Sequence, residues 1–256
     1  MTSLQNNTSR YYTLCNCMGS LIYEEHQKAF SAAVEETEYV RAHDSFSEFN
    51  KKVNGCLELV VKLYPESNNG VSTQMWNAAN SDQFYIHGPV GKGLNIDKYN
   101  SNGLHIIFVG GTGILPFMDL FACIGRKILS ENDPRYSLFP DEHLFDLSDS
   151  AQFIVYAYYP TRADCIGIEL LENIEKLYQK YGKKSMFRLN LIFTRDGGKK
   201  DTNDQIVDIL SDYKNSFGRI NKLWVCGPPK MSTQFQKLMP KIKENTGLGF
   251  EDFQVL

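Results

Sequence analysis

The chain has 256 residues, 42% of them hydrophobic, and a formal net charge of -3, which allows two medium domains with complete cores. Its lysines and arginines are scattered, which argues against nucleic-acid binding, and no apolar run is long enough to span a membrane. Six cysteines form neither a disulfide framework nor a zinc motif, so we expect no metal. We expect an intracellular protein in a reducing compartment, either cytoplasmic or on the cytoplasmic or mitochondrial face of a membrane.

The first dense motif is Arg10-Tyr11-Tyr12-Thr13. It combines a permanent planar cation, phenol rings for stacking and a hydroxyl, which together can hold a phosphate and a flat ring. An exposed basic and aromatic strand end is the alternative. After it, Ile22 to Val40 has a thin apolar stripe that predicts a weakly amphipathic helix. We take residues 17–55 as a helical insertion.

The next elements are short strands and a turn. Residues 57–64 alternate apolar and polar side chains, as a half-buried strand does. Gly70-Val71-Ser72-Thr73-Gln74 then places hydroxyls at the start of a short helix, where they could hold a phosphate or simply cap the helix. Residues 83–87 predict another strand, and residues 101–103 the boundary between two domains, 1–102 and 103–256.

Beyond this boundary strands and helices alternate, the pattern of a parallel α/β sheet. The predicted strands are residues 104–109, 153–158, 187–193 and 222–226. The predicted helices run from 116 to about 131, from 170 to 181, from 206 to 213 and through Phe235 and Leu238. The chain closes on the apolar residues Phe250, Phe253, Val255 and Leu256, for which we predict no element.

Two glycine clusters directly follow buried strands of this sheet. Gly110-Gly111-Thr112-Gly113 follows the first strand and leads through Pro116 into a helix; Cys226-Gly227-Pro228-Pro229-Lys230-Met231 follows the last. Glycine allows positive φ and close approach of a ligand, and a helix start there favours a pyrophosphate. Ligands bind at the carboxyl ends of parallel strands, so both clusters should lie on one rim.

Four motifs in this order resemble the ferredoxin-reductase-like flavoprotein superfamily, closest to its cytochrome b5 reductase and nitrate reductase flavin-domain branch. Residues 10–13 resemble the Arg-x-Tyr-Ser/Thr flavin motif, and residues 70–74 the Gly-x-x-Ser/Thr flavin diphosphate motif. Residues 110–116 resemble the nicotinamide-site loop, and residues 226–231 the Cys-Gly-Pro-Pro-x-Met loop. The resemblance implies a parallel Rossmann-like nucleotide-binding domain preceded by an antiparallel β-barrel flavin domain.

The resemblance also implies roles for individual residues. Those implied to hold FAD are Arg10, Tyr12, Thr13, Lys62, Tyr64, Gly70, Ser72 and Thr73. Those implied to hold the pyridine nucleotide are Gly110, Gly111, Thr112, Gly113, Gly227, Pro228 and Met231. Cys226 would lie near the nicotinamide C4, with Thr13 and Lys62 on the flavin side of the reaction. Hydride would pass from NAD(P)H to FAD, and electrons would then leave singly to a haem or metal protein.

Several features depart from the family pattern. The flavin motif begins at residue 10, so about half of the expected barrel is absent unless an upstream domain or another chain supplies it. The helical insertion is foreign to the family and could cover part of that gap. Leu115 stands where close relatives usually carry Thr, which removes one hydroxyl.

Two questions stay open. Asp164 resembles the acid that binds the adenosine ribose of NADH, whereas Arg162 could meet the 2′-phosphate of NADPH; we favour NADH. The favoured function is an NAD(P)H-dependent flavin reductase. A structural or nucleotide-sensing subunit that keeps the fold, and an oxidoreductase without flavin, are the alternatives.

Overall fold

A computed structural model of the chain describes residues 2–3, 20–37, 59, 61, 70–80, 82–85, 93–97, 99–136, 147–195, 197 and 201–256. Its strands are β1 (Thr2–Ser3), β2 (Phe84–Tyr85), β3 (Gly103–Gly110), β4 (Ala151–Tyr159), β5 (Phe187–Phe193), β6 (Ile220–Cys226) and β7 (Phe253–Val255). Its α-helices are α1 (Ser20–Glu35), α2 (Val71–Trp76), α3 (Met118–Asn132), α4 (Ile168–Lys180), α5 (Asn203–Phe217) and α6 (Pro229–Thr246). Short 3-10 helices span Gly111–Phe117, Pro134–Tyr136 and Arg162–Asp164.

Strands β3 to β7 form one parallel sheet in the order β5-β4-β3-β6-β7. This confirms the Rossmann-like sheet that the alternating strands and helices predicted. Seven of the eight residues of β3 are buried, because a central parallel strand is covered by helices on both faces. A strand that is buried on both faces shows a continuous apolar run rather than alternation, and this run is the pattern by which the sequence predicted β3.

The two faces of the sheet have separate cores. Because side chains alternate along a strand, Ile107 packs in one cluster with residues of α3 and α4, while Phe108 packs in the other with residues of α5 and α6. The Phe108 ring lies 4.7 Å from the ring of Tyr156 and 4.8 Å from that of Phe235. Both cores are closed by helices whose apolar stripes the sequence showed.

The strand order reverses beside β3. The chain moves from β3 through β4 to β5 in one direction, and α5 then carries it back so that β6 lies on the other side of β3. A crevice forms at such a switch point, outside the carboxyl ends of the two central strands. Gly110 and Cys226 end those two strands, so the topology places both glycine clusters at the crevice.

Helix α1 adds a layer outside α3 and α4. Ala29, Phe30 and Ala33 are fully buried in the same core cluster as residues of those two helices. The Phe30 ring occupies the space above Gly125 of α3, where an added Cβ would lie 2.4 Å from Phe30 Cζ. The sequence predicted a helix here, but its packing against the part of the chain that forms the parallel sheet could not be inferred from it.

Polar contacts fix the register of α1. The side chain of Asn173 on α4 donates to Ser31 Oγ at 3.0 Å, and Lys180 Nζ donates to the Ala33 carbonyl at 2.7 Å. The helix ends at Glu35 rather than at Val40, because Glu36 takes a left-handed φ of 57°. Lys180 also pairs with Glu36 at 3.0 Å, so α4 holds the end of α1.

Strand β7 was missed by the sequence reading. It has only three residues and pairs in parallel with β6 at the edge of the sheet. Two bonds flank it, from Leu223 N to the Asp252 carbonyl (2.8 Å) and from Leu256 N to the Val225 carbonyl (2.9 Å). A three-residue strand carries too few positions for a period of two to be recognised, so pairing with β6 defines it.

The N-terminal part is described only in pieces. Strands β1 and β2 pair antiparallel, and β2 falls inside the strand predicted at 83–87. Most of the strand predicted at 57–64 lies outside the described residues, so the partial barrel stays a prediction. Among the helices that the described ranges contain, none combines the length and apolar character needed to cross a bilayer.

Candidate nucleotide-binding site

The first turn of the site leaves β3 at Gly110. It continues directly as the 3-10 helix Gly111–Phe117, and α3 follows from Met118. The sequence placed Pro116 in the first turn of the α-helix, whereas the structure places it inside the tighter 3-10 segment. Ile114 and Phe117 are fully buried, so this segment anchors the turn in the core.

Gly111 is the residue of this turn that requires glycine for its backbone. Its φ is +57°, a value that other L-residues rarely adopt. Among the described residues, no atom outside Gly111 and its two chain neighbours lies within 4 Å of the position that a Cβ would take. The backbone of Gly111 is therefore open on that side, where a ligand could approach it closely.

The second turn leaves β6 at Cys226 and enters α6. Pro228 is the N-cap residue and Pro229 is the first helical residue, where the missing N–H of proline costs nothing. Met231 N donates to the Pro228 carbonyl at 2.8 Å, which closes the first turn of the helix. Pro228 and Pro229 thus shape a rigid start to α6.

The two turns pack against each other through their glycines. A Cβ on Gly113 would lie 2.2 Å from the Cys226 carbonyl oxygen, and one on Gly110 would lie 2.9 Å from Pro228 Cδ. A Cβ on Gly227 would lie 2.7 Å from Met231 Sδ. These approaches leave no room for a side chain, so the glycines bring the two motifs together on one rim.

The thiol of Cys226 is half-buried at this junction. Burial raises its pKa to about 11, so the thiol is neutral at physiological pH. A thiolate is the form that attacks electrophiles or binds metals. The structure therefore favours Cys226 as a small neutral wall of the site rather than as a nucleophile.

The rim continues beyond the carboxyl end of β4, where Thr161 and Asp164 form a capping box. Asp164 Oδ2 accepts bonds from Thr161 N at 3.0 Å and from Thr161 Oγ1 at 2.7 Å. The carboxylate that the resemblance assigns to the ribose of NADH thus also stabilises the local 3-10 turn.

Arg162, the residue considered for a 2′-phosphate, is paired with Glu172 of α4. Its Nη1 donates to Glu172 Oε1 at 2.9 Å, and its Nη2 donates to Glu172 Oε2 at 2.8 Å. This is the bidentate geometry that guanidinium and carboxylate groups favour. The pair lowers the pKa of Glu172, so the carboxylate is ionised at neutral pH.

The structure describes only one of the predicted flavin motifs. Gly70 is the N-cap of α2, and Ser72 and Thr73 lie half-buried in its first turn. Since the N-cap is a glycine without a side-chain bond, neither hydroxyl serves as the N-cap. The other five flavin-side predictions lie outside the described residues: Arg10, Tyr12, Thr13, Lys62 and Tyr64.

The sequence reading named Arg162 and Asp164 on the rim beyond β4 but missed their partners, Glu172 and Thr161. Thr161 and Asp164 have the Thr-x-x-Asp spacing of a capping box, so their contact could have been predicted. Glu172 lies on the next helix, ten positions beyond Arg162, and no spacing rule connects a loop residue with a helix residue at that distance.

Comparisons with known proteins support the fold. No protein-family model and no curated protein matches the chain. Among solved structures, ferredoxin-NADP+ reductase from Plasmodium falciparum with 2'P-AMP is 18% identical, with a TM-score of 0.50 over 78% of this chain and 69% of that one. A mutant of that enzyme, also with 2'P-AMP, is 18% identical, with a TM-score of 0.51 over 78% and 71%. The chain therefore has a ferredoxin-reductase-like fold.

Proposed function

We propose that the chain binds a pyridine dinucleotide across the two packed turns and passes its hydride to a bound FAD, as an NAD(P)H-dependent flavoprotein oxidoreductase. The observation that carries this proposal is the contact between the two glycine turns at the switch point of the sheet. Dinucleotides bind at this place in doubly wound α/β sheets. The similar solved structures are of a ferredoxin-NADP+ reductase that holds 2'P-AMP.

The first turn is suited to the phosphates. Gly111 exposes its backbone without a side chain, and Thr112 and Gly113 follow it at the start of the 3-10 helix. Backbone N–H groups at a helix start, together with the partial positive charge there, favour an anion. These three residues would hold the dinucleotide in register, while Gly110 keeps the turn against Pro228.

The second turn is suited to the nicotinamide. Cys226 presents a neutral thiol, and Gly227, Pro228 and Met231 pack directly behind it against the first turn. An uncharged wall does not attract or repel the nicotinamide as its charge changes during hydride transfer. These residues would position the ring and exclude water, which is the contribution that a protein makes to cofactor chemistry.

FAD, when bound, supplies the exchange between a two-electron hydride and single electrons. Gly70, Ser72 and Thr73 fit its diphosphate, since Gly70 leaves the first turn of α2 without a side-chain cap. The resemblance assigns Arg10 to the pyrophosphate, Tyr12 and Thr13 to the ring, and Lys62 and Tyr64 to the face between flavin and nicotinamide.

The wider organisation follows the same proposal. Residues 1–102 would form a partial flavin-binding barrel and residues 103–256 the nucleotide-binding domain, as in the cytochrome b5 reductase branch. The electrons would pass to a haem or metal protein, or to an upstream domain of a longer chain. Helix α1 ties the first part to the second, because its buried face lies against α3 and α4.

An anaerobic absorbance titration tests the function. The purified chain is saturated with FAD, freed of excess cofactor and mixed with NADH or NADPH. We expect retained flavin absorbance that bleaches with one of the two coenzymes. A chain that binds pyridine nucleotide but retains no FAD would contradict the reductase and favour a nucleotide-sensing subunit.

Replacing the thiol tests the placement of the nicotinamide. Cys226→Ala should retain FAD but slow its reduction by roughly ten- to a hundredfold, because the ring loses one wall of its pocket. Cys123→Ala is the control, since it removes another thiol, from helix α3 rather than from either turn. Equal reduction rates in wild type and Cys226→Ala, measured by stopped flow, would remove Cys226 from the site.

A further inference from the structure

The adenosine end of the rim has a residue that decides which coenzyme fits. We propose that Glu172, by holding Arg162 in a bidentate ion pair, makes the chain selective for NADH over NADPH. This inference rests on the proposed pyridine nucleotide site and names the coenzyme of that site. Glu172 is a positioning residue here, because it acts through the guanidinium of Arg162.

The ion pair matters because Arg162 lies where the 2′-position of the adenosine ribose would be bound. Arg162 lies three residues beyond the end of β4, the strand next to β3 on the outer side of the crevice. After this second strand an acidic residue meets the ribose 2′-hydroxyl of NAD, or an arginine accommodates the 2′-phosphate of NADP. Arg162 is the arginine of the 3-10 turn that fills this place, so its availability bears directly on the 2′-phosphate.

The geometry of the ion pair keeps the guanidinium of Arg162 from binding a 2′-phosphate. Both terminal nitrogens of the guanidinium donate to the two oxygens of one carboxylate, at 2.9 and 2.8 Å. Glu172 is the fixed partner, since it lies on α4 between the buried residues Leu171 and Asn173 and its side chain is only 26% exposed. Arg162 is 58% exposed and is held in place by that helix.

The neighbouring carboxylates act in the same direction. Asp164 is tied into the same 3-10 turn by Thr161, and Glu169 lies one turn before Glu172 on α4. A 2′-phosphate would bring nearly two negative charges beside Glu172 and Asp164. An unphosphorylated ribose brings hydroxyls that carboxylates can accept bonds from, so the carboxylates favour NADH.

Binding of two small nucleotides, AMP and 2'P-AMP, tests this selectivity without any requirement for flavin. We would measure both affinities by calorimetry on the full chain and on Glu172→Gln, which keeps the side-chain size but removes the charge. The wild type should favour AMP. The variant should gain about tenfold in affinity for 2'P-AMP, the scale of one charge-assisted contact, with AMP unchanged.

Two further variants distinguish a specific effect of Glu172 from the general effect of removing one negative charge. Asp149→Asn removes another exposed carboxylate, which pairs with Lys127 at 2.7 Å. Asp149 lies just before the amino end of β4, whereas the rim lies at the carboxyl ends of the strands. This variant should leave both affinities unchanged. The double variant Arg162→Gln with Glu172→Gln should lose the gain. That loss would show that Glu172 acts through Arg162, which a purely structural role would not predict.

The outcomes distinguish the role of Glu172 from the proposed pyridine nucleotide site on which it rests. Failure of every variant to bind either nucleotide overturns both. Binding of AMP with an unchanged preference in Glu172→Gln overturns the role of Glu172 alone and leaves the nucleotide site standing. Preference of the wild type for 2'P-AMP would also overturn it, because the chain would then not be selective for NADH.

Discussion

Gly113 and Gly125 each allow a pair of structural elements to approach closely. Only one of these two contacts could be inferred from the sequence. Gly113 brings the first turn against the Cys226 carbonyl, and Gly125 brings α3 against the Phe30 ring of α1. The first contact joins motifs whose places on the sheet are related by topology. The second joins α3 to an inserted helix for which no pattern specifies a partner.

The difference is also one of chemistry. The paired turns leave the Gly111 backbone open at the rim, whereas α1 packs Ala29, Phe30 and Ala33 against α3 and α4. The turns are thus suited to binding, and the α1 contact to stability. Substitutions in the two places should therefore separate the two properties.

The largest effect is expected for Phe30→Ala. Removing a fully buried aromatic ring should cost about 4 kcal/mol, through loss of α1 docking on α3 and α4. Hydrogen exchange of residues 20–35 should accelerate strongly, while nucleotide binding at the two turns should persist. Lys28→Ala is the matched control, since that side chain is 62% exposed on the same helix. Unchanged exchange in Phe30→Ala would contradict the packing of α1.

Gly113→Ala should have the next largest effect. The added methyl would meet backbone atoms of Cys226 and Gly227 at 2.2 to 2.8 Å, and separating the two turns should cost about 3 kcal/mol. Chemical denaturation measures this loss, and calorimetry should show that NADH binding is lost as well. A variant of wild-type stability and affinity would mean that the turns are not in contact.

Acid should weaken the α1 contact through His26, which is buried and stacks on Phe30 at 5.7 Å. Burial, with a smaller effect of Arg126, lowers its pKa to about 3. Between pH 3 and pH 6.5, His26 is protonated in the unfolded chain but neutral in the folded chain. The stability that the neutral, buried His26 contributes is therefore complete above pH 6.5 and decreases as the pH falls. The loss at pH 5 should be about 2 kcal/mol.

The variant His26→Leu isolates this effect. Buried His105, whose pKa burial lowers to about 4, titrates over part of the same range and remains in both proteins. Denaturation curves at pH 7.5 and pH 5 should therefore differ less for His26→Leu than for the wild type. An equal acid loss in the two proteins would assign the pH dependence elsewhere.

Gly111→Ala should give the smallest change in stability. Its left-handed backbone costs about 1 kcal/mol for an alanine, but no atom of another described residue crowds the added methyl. Gly182→Ala is a matched control, because Gly182 has a φ of +72° and is equally open. Both variants should lose similar stability in thermal melts, and only Gly111→Ala should weaken NADH binding. Equal affinities would show that the open backbone does not face the ligand.

The sequence predicted the parallel sheet because β3 to β6 are long and apolar, with amphipathic helices between them, so local pattern and tertiary packing agree. It also predicted the rim, since motifs after parallel strands share one edge. It missed β7, which only pairing with β6 defines, and the place of α1, which depends on long-range packing. The Arg162–Glu172 pair was missed for the same reason, because it joins a loop to a different element.

The central claim is that the two packed turns form one pyridine nucleotide site. Hydrogen-exchange mass spectrometry of the full chain with and without saturating NAD+ tests it most directly. We predict added protection in residues 110–117 and in residues 226–232 together, with no change in residues 20–37. Protection confined to other segments, or in one turn without the other, would contradict the account.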